Sequence, residues 1–368
     1  MKNIIIRTDA SLEIGSGHVM RCLTLANALR KQQRQIRFIT RALAGHCNDL
    51  IQSQGFPIDV LDAPQNIKIE KFSSVHSLSQ TLSHENWLGV SWQQDAAETS
   101  NVIKKHDVDW LIVDHYSLDS IWQTAVKPYY KNLMVIDDLA DRNHICQLLL
   151  DQNFSNSLHK HYSHRTPKFC KHLLGTQYAL IRENFLANRP DALQRRQGQL
   201  EKMLVFMGGS DNENDTSTVL HGLLLSIFKN LHIDVVLGKS CPHHESIRAL
   251  CTQFPNARLH IQTDHMAELM RDADIAINAG GSITWERCVL GLPAIVVIQS
   301  KNQQAIAESL HKLGAHLTLG WAQNLSAQDY VDALSLIDRE QLKKMSEISS
   351  ALCDGLGADR VVRAILEQ

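Results

Sequence analysis

Residues 3–29, NIIIRTDASLEIGSGHVMRCLTLANAL, carry the reading that decides the fold. Ile4, Ile5 and Ile6 form a short apolar run without a polar face, the pattern of a strand buried on both sides in a parallel sheet. A polar loop with Gly15, Ser16, Gly17 and His18 follows, and then Val19, Cys22, Leu23, Leu25, Ala26 and Leu29 recur at helical spacing. The order strand, glycine turn, helix places Gly15 and Gly17 at a helix N-terminus. Unpaired amides and the positive end of the helix dipole attract an anion or a developing negative charge there. The same field disfavours a second positive charge at His18, and a neutral imidazole can accept a proton as a general base does. Asp9 lies on the same loop and is a candidate to orient the ring. Taken alone, the motif is equally open to a bland reading, a tight turn with His18 capping a helix. The third glycine of a dinucleotide fingerprint is missing, and Arg21 stands near its place.

Outward from this stretch, apolar runs at 36–40, 110–113, 133–136, 203–206, 233–237, 275–279 and 294–298 alternate with helical stretches. They predict an α/β chain with doubly wound parallel sheets. At 368 residues it exceeds what one core organises. The polar stretch at 182–201 reads as a linker, because a new strand and glycine turn begin at Met203. Two Rossmann-type domains facing across a cleft are expected, 1–190 and 191–368, the last 60 or so residues completing the second domain with a final helix that can cross back. Residues 62–95 read as a lid or as a surface connection anchored by tryptophan.

Charge is balanced, 37 basic against 39 acidic residues, so no global field draws nucleic acid or an anionic membrane. The N-terminal apolar run is too short for a signal peptide, and no stretch reaches the roughly 20 apolar residues of a membrane span. The expected localisation is cytoplasmic. Eight scattered cysteines without a C-x-x-C pair read as reduced, mostly buried thiols. The 19 histidines show no metal-ligand pattern, and the D-x-D at Asp107 and Asp109 precedes a strand instead of following one, so neither a metal nor another cofactor is expected.

Two further turns follow strands in the second half. Met207, Gly208, Gly209, Ser210 and Asp211 form one, and Gly280, Gly281 and Ser282 the other. Both offer amides and a hydroxyl to a phosphate. Glu286, one turn into the next helix, can accept the two hydroxyls of a ribose, or stand there because the helix dipole favours it. Asn302 and Gln303 follow the strand at 294–298, at the edge where open α/β sheets bind ligands, with a solvated loop as the competing reading. Asp114, His115 and Tyr116 follow another strand end and can face a ligand, although a structural role suits His115 somewhat better.

The opening stretch, together with HENWLGVSWQQDAAET, IVDHYSLD, VIDDLADRNHICQLLLDQN, LLGTQYALIRENF, MGGSDNEN and NAGGSITWERCVLGLP, resembles the UDP-sugar hydrolases of the pseudaminic acid pathway, in order from residue 3 to about residue 304. Those enzymes cleave UDP-2,4-diacetamido-2,4,6-trideoxy-β-L-altropyranose. They are similar in fold to GT-B glycosyltransferases such as the lipid II N-acetylglucosaminyltransferase. The resemblance implies a GT-B-like fold with UDP bound mainly by the C-terminal domain. It implies attack of water at the anomeric carbon with inversion, His18 as the base and no metal. It places Gly209, Ser210, Gly280, Gly281, Ser282 and Glu286 at UDP; Asp9, Gly15, Gly17, Arg21, His115, Tyr116, Arg182, Asn302 and Gln303 are the further candidates to bind substrate. The expected partners are a small-molecule UDP-sugar and water, without nucleic acid or membrane. A GT-B glycosyltransferase and a non-catalytic nucleotide-sugar binding module remain the alternatives.

Overall fold

The computed structural model describes residues 2–64, 84–154, 158–281 and 283–368. It divides into two compact units, Met1–Leu180 with Ala358–Gln368, and Ile181–Gly357. Among the described residues no helix is long and apolar enough to cross a membrane.

The described strands of unit 1 are β1 (Asn3–Thr8), β2 (Gln35–Arg41), β3 (Ile58–Leu61), β4 (Val108–Asp114), β5 (Tyr130–Ile136), β6 (Leu148–Asp151) and β7 (Lys171–Leu174). They form one parallel sheet in the order β3-β2-β1-β4-β5-β6-β7. The apolar run of β1 feeds two cores at once. Ile4 and Ile6 join Val19, Cys22, Leu25 and Leu29 of helix Gly17–Lys31, while Ile5 joins Leu111, Val113 and Trp122 on the opposite face. Burial of each such side chain contributes about 1.5–3 kcal/mol. The C-terminal helix Gly357–Leu366 adds Val361, Val362 and Ile365 to the first of these cores.

In unit 2, β8 (Lys202–Phe206), β9 (His232–Leu237), β10 (Ala257–Ile261), β11 (Ile275–Ala279), β12 (Ala294–Ile298) and β13 (Leu317–Trp321) form a second parallel sheet, ordered β10-β9-β8-β11-β12-β13. The strand order reverses between β1 and β4 in one unit and between β8 and β11 in the other. Open α/β sheets bind ligands beyond the carboxyl ends of strands at such a reversal.

The eight strands expected from apolar runs are all present. The boundary expected at 190/191 is corrected: it falls inside helix Glu183–Arg195, and the units divide at 180/181. What reads as a polar linker is a helix tied into unit 2 by its arginines. Arg189 donates to the carbonyl oxygens of Val289, Ser350 and Cys353, and Arg196, the residue after the helix, to those of Met270, Ala273 and Leu290. The tail completes unit 2 up to Gly357, and its final helix joins unit 1 as expected of a helix that crosses back, so the second domain stops short of 368.

Candidate active site

The loop after β1 is shaped by Ser11, whose hydroxyl accepts the Glu13 and Ile14 amides and whose carbonyl accepts the Gly15 amide at 2.9 Å. Gly15 then turns at φ +74°, a conformation that costs a glycine little. Helix Gly17–Lys31 starts with no side-chain cap and no acid in its first turn, so the field of its N-terminus is uncompensated by its own residues.

His18 stands one residue into that helix, beside the end of β4, because β4 is the neighbour of β1. Its Nδ1 lies 2.6 Å from Oδ1 of the fully buried Asp114. An ionised carboxylate only accepts, so the proton sits on Nδ1 and the lone pair on Nε2. Arg21, one turn along the helix, grips the same carboxylate with Nε and a terminal nitrogen, both at 2.7 Å. Its other terminal nitrogen reaches Asp138 at 2.8 Å, and the Tyr116 hydroxyl donates to the second oxygen of Asp138. Burial alone would raise the Asp114 pKa, but Arg21 and His18 outweigh it and hold the carboxyl well below the usual range. Burial likewise opposes the Arg21 charge and is outweighed by Asp114 and Asp138.

Asp9 does not orient His18. Arg7 donates to it at 2.6 Å, the Arg41 amide donates to it at 2.6 Å, and His115 Nε2 lies 3.3 Å away. Arg7 and Arg41 also converge on the buried Asp95, which accepts the Trp122 indole as well. This ionic knot lies within unit 1. His115 is part of it, its Nδ1 accepting the Ser117 amide at 3.0 Å and its buried Nε2 standing 3.3 Å from Asp9. The reason is strand direction: Asp114 ends β4 on the side of helix Gly17–Lys31, and the next side chain points the other way.

Within the stretch 62–95, residues 65–83 lie outside the described residues. Residues 84–95 bring Trp87 to His18, 6.4 Å away centroid to centroid, and Tyr116, just past β4, lies 4.6 Å away. Asp138 is the site neighbour that reasoning from single motifs misses, and Trp87 is read there only as an anchor of the 62–95 stretch. Asp114 had a signal, an acid at the carboxyl end of an apolar strand, but its pairing with His18 needs the strand order.

In unit 2 the turn after β8 runs through Gly208 at φ +96°, and the Gly209 and Ser210 amides meet no acceptor among the described residues. A Cβ on Gly209 would touch nothing within 4 Å, so a ligand can approach this backbone closely. Below it, Asp211 caps helix Asp215–Leu224 through the Asp215 and Thr216 amides. The turn after β11 is different. The Gly280 amide donates to Val297 and the Gly281 amide to Ala279, each at 3.0 Å, so neither is free to cradle a phosphate. This corrects the expectation for that pair, and its cause is a three-residue turn that folds Gly281 back on the strand end. Ser282 lies outside the described residues.

Glu286 accepts Arg182 Nε at 2.8 Å on one oxygen, which joins two expected site residues in one ion pair and leaves the second carboxylate oxygen for a ligand. Asn302 and Gln303 belong to the first turn of helix Lys301–Leu313 and not to a loop, and the Gln303 side chain accepts the Gln299 amide at 2.9 Å. Asp107 and Asp109 are bridged by Lys131 at the opposite end of β4 from the site.

The fold is GT-B, two Rossmann-like α/β units. The structure of Acinetobacter baumannii MurG superposes with a TM-score of 0.70 over 100% of both chains at 14% identity. Residues 203–354 match the family model of the glycosyltransferase family 28 C-terminal domain. The chain is 27% identical to the uncharacterized protein MJ1062 of Methanocaldococcus jannaschii over 82% of its own length, and that match spans 56% of the archaeal protein, little more than half. It is 26% identical to the UDP-2,4-diacetamido-2,4,6-trideoxy-beta-L-altropyranose hydrolase of Campylobacter jejuni over 84% of this chain and 97% of that one.

Proposed function

We propose that this protein hydrolyses a UDP-linked 2,4-diacetamido-2,4,6-trideoxy sugar, releasing the free sugar and UDP with inversion. The observation that carries the reading is the 2.6 Å contact between His18 Nδ1 and Asp114, which leaves Nε2 as a proton acceptor. A water deprotonated by Nε2 attacks the anomeric carbon, the bond from that carbon to the UDP oxygen breaks, and its electron pair leaves with the diphosphate. Arg21 keeps Asp114 ionised, so the carboxylate stabilises the imidazolium formed in the step, as the aspartate of a serine protease triad does. Gly209 and Ser210, whose amides meet no acceptor among the described residues, offer them to the diphosphate, and Glu286, steadied by Arg182, offers an oxygen to the ribose. The similarity to the Campylobacter hydrolase along 97% of its length supports the substrate class.

In oxygen-18 water the label should appear in the released sugar; label in UDP would refute attack at the anomeric carbon. His18→Asn should lose on the order of 100-fold or more in turnover while binding UDP normally. The match of residues 203–354 to a glycosyltransferase domain favours a second reading, transfer of the sugar to an acceptor. Rapid UDP release from the donor with no acceptor present decides for hydrolysis, and release only on adding an acceptor decides for transfer.

A further inference from the structure

Three aromatic rings stand beside His18, and the proton chemistry uses none of them. Trp87 and Tyr116 lie 5.5 Å apart with planes 28° from parallel, a stacked pair. Both stand nearly at right angles to the imidazole, Tyr116 at 78° and Trp87 at 88°. His84 closes the group, 4.2 Å from Trp87 and 5.4 Å from Tyr116. The segments that carry these rings are tied into unit 1 at three points. The Tyr116 hydroxyl is held by Asp138, the His84 carbonyl accepts the Ser117 hydroxyl at 2.6 Å, and Leu88, next to Trp87, is buried in the core of unit 1. Trp87 itself remains only half-buried. An aromatic surface whose ring centroids stand 4.6 and 6.4 Å from that of His18 is a place for C–H groups, because the ring face attracts them and offers a hydroxyl no full hydrogen bond in return for its lost water.

We infer that Trp87, backed by Tyr116, is a specificity-determining residue that holds the apolar edge of the sugar, its C6 methyl group, beside His18 and so selects 6-deoxy sugars over their 6-hydroxy counterparts. The inference rests on the hydrolase reading for its substrate, and names the surface that recognises it. Addition of a hydroxyl against such a wall costs on the order of 10- to 100-fold in kcat/KM.

The experiment compares UDP-2,4-diacetamido-2,4,6-trideoxyhexose with the same compound bearing a 6-hydroxyl, on the wild type, Trp87→Ala and Trp87→Phe. The wild type should prefer the deoxy sugar by about 10-fold or more, Trp87→Phe should keep most of that preference, and Trp87→Ala should bring the ratio to within about 3-fold. UDP affinity by calorimetry should be the same in all three, which shows that the variants are folded. The second readout needs no turnover: on binding, the ring current of Trp87 should move the C6 methyl proton resonance upfield in the wild type and much less in Trp87→Ala. A wild-type preference that survives in Trp87→Ala, no wild-type preference, or a methyl shift that Trp87→Ala leaves undiminished overturns the inference. If the wild type cleaves neither sugar, the hydrolase reading fails, and the methyl shift alone then decides on Trp87.

Discussion

The two sheet reversals, β1/β4 in unit 1 and β8/β11 in unit 2, occupy the same place in the same topology and are built from opposite materials. The first is packed with fixed charge. Arg7, Asp9, Asp95 and Asp114 are fully buried there, Arg21 and His18 nearly so, and every one of them is paired. The second is open backbone: Gly209 has empty space above it, and the Gly209 and Ser210 amides meet no acceptor among the described residues. Buried, paired charges hold a base at one angle at a high cost in desolvation, a cost that suits a place where a proton moves. Backbone amides need no counter-charge and suit recognition of a phosphate that arrives and leaves. On the proposed function, one fold element thus serves two purposes, set by which side chains crowd the strand ends.

Changes in the two places should therefore fail in different ways. The largest effect is expected for Asp114→Ala, which strands Arg21 as a buried cation with Asp138 as its remaining partner and frees the His18 ring. About 3–5 kcal/mol of stability should be lost in chemical denaturation, with turnover falling below that of Asp114→Asn at equal folded fraction. Loss of stability below about 1 kcal/mol would show that the network is not a unit.

The next prediction concerns pH. Asp151, at the end of β6, is pushed up to about 7, by burial first and then by Asp138 and Asp137. Tyr162 has one proton to offer and lies within 3.1 Å of oxygens from both Asp137 and Asp151, so a protonated Asp151 relieves the crowding. The folded state thus retains a proton that an unfolded Asp, with its ordinary value of 3.8, releases. The contribution of this group to stability is complete below about pH 4 and is lost as pH rises toward 7, by on the order of a few kcal/mol. Asp114, held low, acts in the reverse sense and loses its contribution only as pH falls below the usual carboxylate range. Asp151→Asn should flatten the decline between pH 4 and pH 7 in urea melts; an unchanged slope would remove Asp151 as its cause.

In unit 2 the effects should be smaller. A Cβ on Gly238 would lie 2.1 Å from the Gly209 carbonyl oxygen, so Gly238→Ala must displace the very turn assigned to the diphosphate. A stability loss of about 1–3 kcal/mol and weaker UDP binding should appear together. Unchanged UDP affinity in a destabilised protein would separate the turn from the nucleotide. Smallest of all, Glu286→Gln keeps the shape but weakens the Arg182 pair; UDP should bind up to about 10-fold less tightly, with little change in melting temperature. A loss of stability without a loss of affinity would make the pair structural.

The same contrast explains what was legible in the sequence. The glycine turns and the helix after β1 could be read because each is local: an apolar run, a turn, then a 3.6-residue period. The five strands that apolar runs do not reveal are edge strands or short ones. β3, β7, β10 and β13 end their sheets and are only partly buried, and β6 has four residues, so none makes a long apolar run. The partner of His18 was illegible for another reason. Asp9 is 9 residues away and Asp114 is 96, yet β4 and not the local loop flanks β1, and a contact of that separation is set by strand order. Helix Glu183–Arg195 was hidden by its composition, since arginines that serve buried carbonyl oxygens look like those of a solvated linker.

The central claim, a histidine held by Asp114 that aims water at an anomeric carbon, meets its most direct test in a proton NMR time course of the purified protein with UDP-2,4-diacetamido-2,4,6-trideoxy-β-L-altropyranose and no acceptor. The account predicts that the free sugar appears first as the anomer opposite to that of the substrate, with UDP in equal amount, and that His18→Asn all but abolishes both signals. First appearance of the retained anomer, or no UDP release until an acceptor is added, would contradict it.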